Sequence, residues 1–338
     1  MSSVILRDIS TAPRDHTRLQ AEYTALTQRA GAMILPDPGI LRVEGRDRVD
    51  WLHNLITTDV EAMQEGSAAY SLLLEAKAHV LADFVLVKQV EHFLLYTSRA
   101  AHENLYSNLR RAIFREKVSL TDVSAQFGII SVQGPQAADC LGKSFQLPTS
   151  NFQSLVFNLQ SLNLPISQSL LISNPRIPHR FDLLAPRDAI PDLSRTLATN
   201  GADPIGLDAL NIVRVEAGMP QYEDDFDETT LAPEARLDEF IAPSKGCYPG
   251  QETIARIRNL GHVNRLLVQL QITDKQLPTR GNKIFVEEKE IGEITSAVWS
   301  FARNAPLALG YTRQEYAADG TRVQIGHGDT RLDAIVRA

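Results

Sequence analysis

Past Gly261 the helical periodicity of this 338-residue chain stops, and that change constrains the fold more than any other feature. Beyond it come NRLLVQLQIT, KIFVEE, EIGEITSAVW, ALGYT and RVQIG, short β-rich runs punctuated by Pro278, Gly281, Pro306 and Gly320. Strands at such short spacing predict a small all-β domain, a barrel or sandwich, over roughly 262–338. The remaining length is too great for one ordinary core, so two or three domains are expected.

The amino-terminal part mixes the two periodicities. Leu19, Tyr23 and Leu26 recur at helical spacing between Asp15 and Arg29, with Gly31 as a left-handed stop, and a short strand follows. Asp47 is positioned to cap a second helix that presents Val49, Leu52 and Ile56 on one face. Tyr70 to Leu74, His79 to Val87 and Phe93 to Tyr96 read as an antiparallel sheet, and Ala101 to Arg115 as a helix burying Leu105, Leu109, Ala112 and Ile113. Phe127 to Val132 is a buried strand, and Gly134-Pro135 opens a helix in which Cys140 reads as a small buried hydrophobe.

Composition excludes several classes. Apolar residues make up 43% and charged residues 22%, which suits a packed globular chain. A formal charge of −7 argues against direct binding of nucleic acid through a general basic field. The longest charge-free stretch, Ser144 to Pro175, is broken by Asn, Gln, Ser and proline, so no membrane span is expected. The start MSSVILRDIS lacks the pattern of a secretory signal, and Cys140 and Cys247 are too few for a disulfide framework. Both observations point to the cytoplasm.

The segment Lys245-Gly246-Cys247-Tyr248-Pro249-Gly250-Gln251-Glu252 carries the most chemical information. Two glycines and a proline around a cysteine describe a tight loop with an accessible thiol. Lys245, two residues away, could favour the thiolate, or the cysteine could be an ordinary loop residue. KGCYPGQE matches the signature K-G-C-Y-x-G-Q-E of YgfZ-type proteins at every specified position.

A wider resemblance covers most of the chain. RVEGRDRVDWLHNLITTDV resembles the first conserved helix of the glycine cleavage T-protein family and its T-x-D-V ending, and IISVQGPQA resembles the family's L-x-x-Q-G-P-x-A turn. IVRVEAGMPQYEDDFDETTLAPEARL is similar to the segment L-R-L-E-A-G-x-x-x-Y-G-x-D followed by P-x-E-A, with Glu223 where glycine is usual. GEITSAVWS resembles a motif of the family's carboxy-terminal barrel. The resemblance implies a mixed α/β (α+β) cloverleaf of three domains around a central hole that binds tetrahydrofolate or a related folate. Its first domain would be discontinuous, 1–50 and 125–245, the second 51–124, and the third 246–338, joining the cysteine loop to an all-β barrel.

Two carboxylates suit such a ligand. Glu216 reads either as a group that caps or ion-pairs its helix, or as an acceptor for the adjacent N–H and amino groups of a pterin. Asp83 shares a strand face with Leu81, Val85 and Val87, so it needs a donor or a ligand. The segment Ala78-His79-Val80-Leu81-Ala82-Asp83-Phe84 keeps one of two acids of the family pattern G-G-x-x-D-D-L-x-V. Ala82 replaces the first acid, LLYTSRA lacks the asparagine of V-V-N-A, and ISNPRIPHRFDLLAP stands where R-T-G-Y-T-G-E is usual. These departures weigh against aminomethyl transfer.

Arg256, Arg258 and Arg265 form a basic group suited to the anionic tail of a folate, or an ordinary solvated connector. The acidic run Glu223 to Glu228 lacks calcium-loop spacing and reads as a solvated loop. His262 is a possible imidazole partner for Cys247. The YgfZ resemblance implies a folate-binding factor that assists assembly or repair of iron-sulfur enzymes, including tRNA-modifying ones, rather than a classical enzyme. Its partners would be reduced folate and either the client enzymes or the assembly machinery. Asp83 and Cys247 are the expected catalytic groups, and Asp83, Glu216 and Arg256 the folate contacts. Two alternatives are a folate-dependent aminomethyltransferase or demethylase with Asp83 as acid-base group, and a folate-binding module of an amine-oxidising complex.

Overall fold

The computed structural model describes residues 16–147, 156–158, 169–327 and 330–337. The MSSVILRDIS segment and most of the charge-free stretch lie outside them. The described chain forms two compact units, one from residues up to 23, 206–225 and 262–338, the other from 24–205 and 226–261. Among the described residues no helix is long and apolar enough to cross a membrane.

The larger unit contains two sheets. In one, the strands run in the order Asp203–Pro204, Gly31–Ile34, Phe127–Gln133, Arg180–Pro186, Leu170–Ser173 and Val156–Asn158. The other has the order Ser67–Leu74, Val80–Lys88, His92–Thr97, Gly39–Glu44 and Ser119–Asp122. The first packs Ile130, Val132, Leu171 and Leu183 with Cys140, Leu141 and Phe145 of helix Ala137–Phe145 and with Leu193 and Leu197 of helix Ile190–Thr199. Cys140 is buried as expected, and that burial pushes its thiol pKa up.

The second sheet carries the helix Arg99–Arg111, which starts two residues earlier and ends four earlier than its apolar spacing suggests. Ser98 explains the start, since its hydroxyl accepts from Ala101 N at 3.2 Å and satisfies a donor that the helix leaves open. Asp47 stands before the helix Arg48–His53, but its carboxylate accepts from Lys117 N at 2.7 Å instead of capping. Gly31 does not stop the first helix in a left-handed conformation. It begins a strand, where a Cβ would lie 2.8 Å from Ile205 Cγ2.

Strand Val80–Lys88 alternates as a sheet face requires. Val80, Ala82, Phe84 and Leu86 are buried on one side, while Asp83 shares the other with Val85 and Val87.

The smaller unit contains a closed six-stranded barrel, one of the two all-β forms that the change of periodicity allows. Its strand order is Arg265–Ile272, Ala305–Arg313, Lys289–Ser300, Lys283–Val286, Arg322–His327 and Thr330–Arg337, and closure leaves no open edge. Val268, Leu270, Ile284, Ile294, Ile325 and Val336 fill its interior. The helix Leu207–Glu216 lays Ile212 and Val215 against Leu267, Val298, Leu307 and Leu309 on its outside.

The acidic run is solvated only in part, with Glu223 and Glu228 exposed. Asp225 is buried in the smaller unit, where Arg214 Nη1 donates at 2.6 Å, Ser296 Oγ at 2.7 Å, Thr295 Oγ1 at 2.5 Å and Gln221 N at 3.0 Å. Arg214 reaches from the helix and the two hydroxyls from the barrel, so this carboxylate joins those elements.

Candidate functional site

Asp83 has the donors its place on an apolar strand face demands. Tyr70, on the neighbouring strand, donates its hydroxyl to Asp83 Oδ2 at 2.6 Å, and the Arg176 guanidinium approaches the same oxygen at 3.7 Å. Arg176 also donates to the Tyr70 hydroxyl at 2.9 Å and lies 4.7 Å from the centroid of that ring. The Asp83 and Arg176 side chains are each only 13% exposed, so the pair acts with little screening by water. Burial pushes the Tyr70 hydroxyl well above the ordinary phenol range; Arg176 opposes that shift and Asp83 reinforces it. Phe240 closes one side with an edge contact to Tyr70, 4.5 Å between centroids.

The network continues to a second carboxylate. Asn174 accepts from Arg176 N at 3.0 Å and donates from its amide to Asp182 Oδ2 at 2.7 Å. Asp182 is fully buried, and Tyr96 donates to it at 2.8 Å and Arg180 at 2.9 Å. Burial, then the charge of Asp182, raises the Tyr96 hydroxyl well above its usual range. Two carboxylates, two tyrosines, two arginines and an asparagine thus connect both sheets of the larger unit. Sequence reasoning missed Tyr70, Tyr96, Asn174, Arg176, Arg180 and Asp182. Asp182 was open to the argument that flagged Asp83, because it is an acid between Phe181 and Leu183-Leu184 in a strand.

The cysteine loop lies in this same unit, although the sequence groups it with the barrel. Cys247 is exposed, as the loop chemistry predicts. Lys245 does not serve its thiolate: Nζ donates to the carbonyl oxygens of His53 at 2.5 Å, Thr58 at 3.1 Å and Ile56. The ammonium therefore binds carbonyls at and beyond the end of helix Arg48–His53, where positive charge is favoured. Burial pulls its pKa down to about 8, against Asp59 and Glu61, which raise it. The Tyr248 ring lies 5.1 Å from this ammonium.

Gly250 has φ +85°, and a Cβ there would come 2.9 Å from Ala78 Cα and Glu75 O. Glycine is thus required both by conformation and by the close approach of the turn that leads into the Asp83 strand. Gln251 and Glu252 begin helix Gln251–Leu260, and Lys245, Tyr248, Gln251, Glu252 and Arg258 line a cavity of about 310 Å³ beside it. Arg256 is exposed on this helix, while Arg258 donates to the carbonyls of Asp238 and Ile241.

Glu216 and His262 belong to the smaller unit. Both oxygens of Glu216 are engaged: Oε2 accepts from Tyr23 at 2.8 Å, Oε1 from Ser300 at 2.6 Å and Ala302 N at 3.3 Å. Desolvation first, then the hydrogen bond and charge of Glu216, raise the Tyr23 hydroxyl pKa. A pterin at Glu216 would compete with these three donors.

Comparison with known proteins agrees with this architecture along most of the chain. The GCVT N-terminal domain matches residues 10–245, and the glycine cleavage T-protein C-terminal barrel domain matches 265–338. An aminomethyltransferase of Prochlorococcus marinus is 26% identical over 96% of this chain and 90% of its own length. One from Listeria monocytogenes is 24% identical over 95% and 89%. The crystal structure of the glycine cleavage system aminomethyltransferase T of Bartonella henselae superposes with a TM-score of 0.85, covering 95% of this chain and 88% of that one at 22% identity.

These relatives overturn the expected iron-sulfur role. Proteins that match more than nine-tenths of the chain are named aminomethyltransferases, so the assembly-factor function drawn from the eight-residue cysteine motif is corrected in favour of the alternative. A short motif reports one loop, whereas the match over both domains reports most of the chain. The chain belongs to the glycine cleavage T-protein family, with that family's amino-terminal domain followed by its carboxy-terminal barrel.

Proposed function

We propose that this protein is a tetrahydrofolate-dependent aminomethyltransferase of the glycine cleavage T-protein type, with Asp83 at the reacting centre. The observation that carries this reading is a partly buried carboxylate held between a tyrosine hydroxyl and a guanidinium on the acid-bearing strand of the family pattern. The departure at Ala82 does not weaken it. Ala82 is fully buried on the opposite face of the strand, so an acid there would not stand beside Asp83.

The residues suit a reduced folate. A pterin edge presents N–H, amino and carbonyl groups together, and the Asp83–Arg176 end of the network, where both side chains keep 13% exposure, supplies a carboxylate acceptor and a guanidinium donor. Arg176, and Arg256 on its exposed helix face, are the cations we assign to anionic parts of the ligand. Tetrahydrofolate would supply the nucleophilic nitrogen that receives the one-carbon unit.

The protein's own contribution is proton handling and charge balance. Asp83 takes a proton at Oδ1 while Tyr70 keeps its hydroxyl proton aimed at Oδ2, and Arg176 offsets the carboxylate charge. The test is to supply tetrahydrofolate and an aminomethylated carrier protein and to measure methylenetetrahydrofolate and ammonia. Product requiring both substrates is expected. Folate binding without turnover would overturn the transferase reading, and absence of binding would overturn the folate reading as well.

A further inference from the structure

Asp182 is fully buried, and the reaction proposed above assigns it no step. A carboxylate withdrawn from water is tolerated only where donors surround it. Phe181, Leu183 and Ala185 turn into the apolar core, so Asp182 leaves the strand Arg180–Pro186 on its opposite face. There its two oxygens take different donors. Oδ1 accepts from Arg180 Nε at 2.9 Å, whereas Oδ2 accepts from the Tyr96 hydroxyl at 2.8 Å and from Asn174 Nδ2 at 2.7 Å. Tyr96 lies on the strand His92–Thr97, and its neighbour Thr97 donates its hydroxyl to the carbonyl of Asp83 at 2.5 Å. Oδ2 thus ties the sheet that bears Asp83 to the first residue of the segment Asn174-Pro175-Arg176-Ile177-Pro178-His179-Arg180.

That segment is short of backbone donors, because Pro175 and Pro178 have none. Asn174 organises it. Its Oδ1 accepts from Arg176 N at 3.0 Å and from Ile177 N at 2.9 Å, while its own N–H donates to Arg180 O at 2.9 Å and closes the loop. At the far end the His179 carbonyl accepts from Gly134 N at 3.0 Å, and His179 holds φ +56°, a conformation that costs free energy for a residue with a Cβ. Arg176 projects from the loop so anchored. Its Nη1 donates to the Tyr70 hydroxyl at 2.9 Å and stands 3.7 Å from Asp83 Oδ2.

We propose that Asp182 and Asn174 are positioning residues for the Asp83 centre: Asp182 fixes the Asn174 amide, the amide fixes the backbone at Arg176, and that backbone sets the guanidinium on Tyr70 and Asp83. A link between the two sheets needs only the bond from Tyr96. The second donor on Oδ2 is what carries the influence of Asp182 to Arg176. A charge offsets another only where it is held in place, and a misplacement of about 1 Å costs up to about a hundredfold in rate. The effect on turnover rests on the transferase reading given above, whereas the placement of Arg176 does not.

The experiment is a double-mutant cycle of Asn174→Ala and Arg176→Gln in the full-length protein, with two readouts. The first is the carbon-13 resonance of Tyr70 Cζ in tyrosine-labelled protein, assigned with Tyr70→Phe, which reports the hydrogen bond from Arg176 and needs no substrate. Asn174→Ala should move it in the same direction as Arg176→Gln, and should move it no further in the Arg176→Gln background. The second is turnover of an aminomethylated carrier with tetrahydrofolate. Asn174→Ala should lower kcat by about ten- to a hundredfold in the wild-type background and by less than about twofold in the Arg176→Gln background. Asp182→Asn removes the charge that holds the Asn174 amide and should act in the same way, again only where Arg176 is present. A Tyr70 resonance unmoved by Asn174→Ala, or effects that simply add in the cycle, would overturn the proposal. If Asn174→Ala fails to fold by circular dichroism, Asn174→Ser replaces it, since a serine hydroxyl accepts more weakly from the same loop N–H groups. A smaller shift in the same direction is then expected, and no shift would overturn the proposal. Absence of transfer by the wild type would overturn the transferase reading instead, with the Tyr70 resonance still deciding whether Asn174 and Asp182 place Arg176.

Discussion

Lys245 shows how a residue legible in the sequence acquires a different role in the fold. Its two-residue spacing from Cys247 suggests activation of the thiol, yet its ammonium serves three backbone carbonyls. Lys245→Met leaves those carbonyls without their charged donor and should destabilise the protein by about 1–3 kcal/mol, measured by urea unfolding. The loss should depend on pH. Burial sets the folded pKa near 8, below the ordinary 10.5, so between these values the folded state binds fewer protons than the unfolded one. Stability contributed by Lys245 therefore rises with pH across that window, and wild type should gain on Lys245→Met between pH 8 and 10.5. Parallel stability–pH curves would contradict this assignment. Asp83 was legible because an acid that shares a strand face with Leu81, Val85 and Val87 must find a donor. Its donors were not, because Arg176 and Tyr70 are 106 residues apart in sequence and only the fold brings them together.

Elements were read well where periodicity alone determines them, as in the strands flanking Asp83 and the closed barrel. Their boundaries depended on single side chains. Ser98 moves the start of the helix Arg99–Arg111, and Ser98→Ala should cost about 0.5–2 kcal/mol in thermal or chemical unfolding. Gly250 opens the helix Gln251–Leu260 at positive φ, against the backbone of Glu75 and Ala78. Gly250→Ala meets both strain and steric conflict and should lose about 1–3 kcal/mol. Gly261→Ala, at ordinary φ with its nearest neighbour 3.7 Å away, should stay within about 0.5 kcal/mol. Equal effects of the two substitutions would show that the close approach of the motif loop to the Asp83 turn is not what fixes Gly250. The acidic run illustrates the limit of element reading. Its spacing excludes a calcium loop, but nothing local reveals that Asp225 is buried against Arg214, Thr295 and Ser296.

At the scale of the whole molecule, motifs spread along the chain identified the family, and one eight-residue loop suggested an iron-sulfur role, whereas relatives matching both domains are named aminomethyltransferases. Loop motifs and whole-chain likeness answer different questions. The first bears on a local device, here the exposed thiol of Cys247, and the second on the architecture that holds the Asp83 network. The central claim is that this network performs folate-dependent aminomethyl transfer. Its most direct test compares tetrahydrofolate-dependent turnover of an aminomethylated carrier by wild type and by Asp83→Asn, which keeps the side-chain shape but removes the proton acceptor. The wild type should turn over, and the variant should be slower by roughly a hundred- to ten-thousandfold while still folding. No folate-dependent transfer by the wild type, or equal rates for the two proteins, would contradict the account.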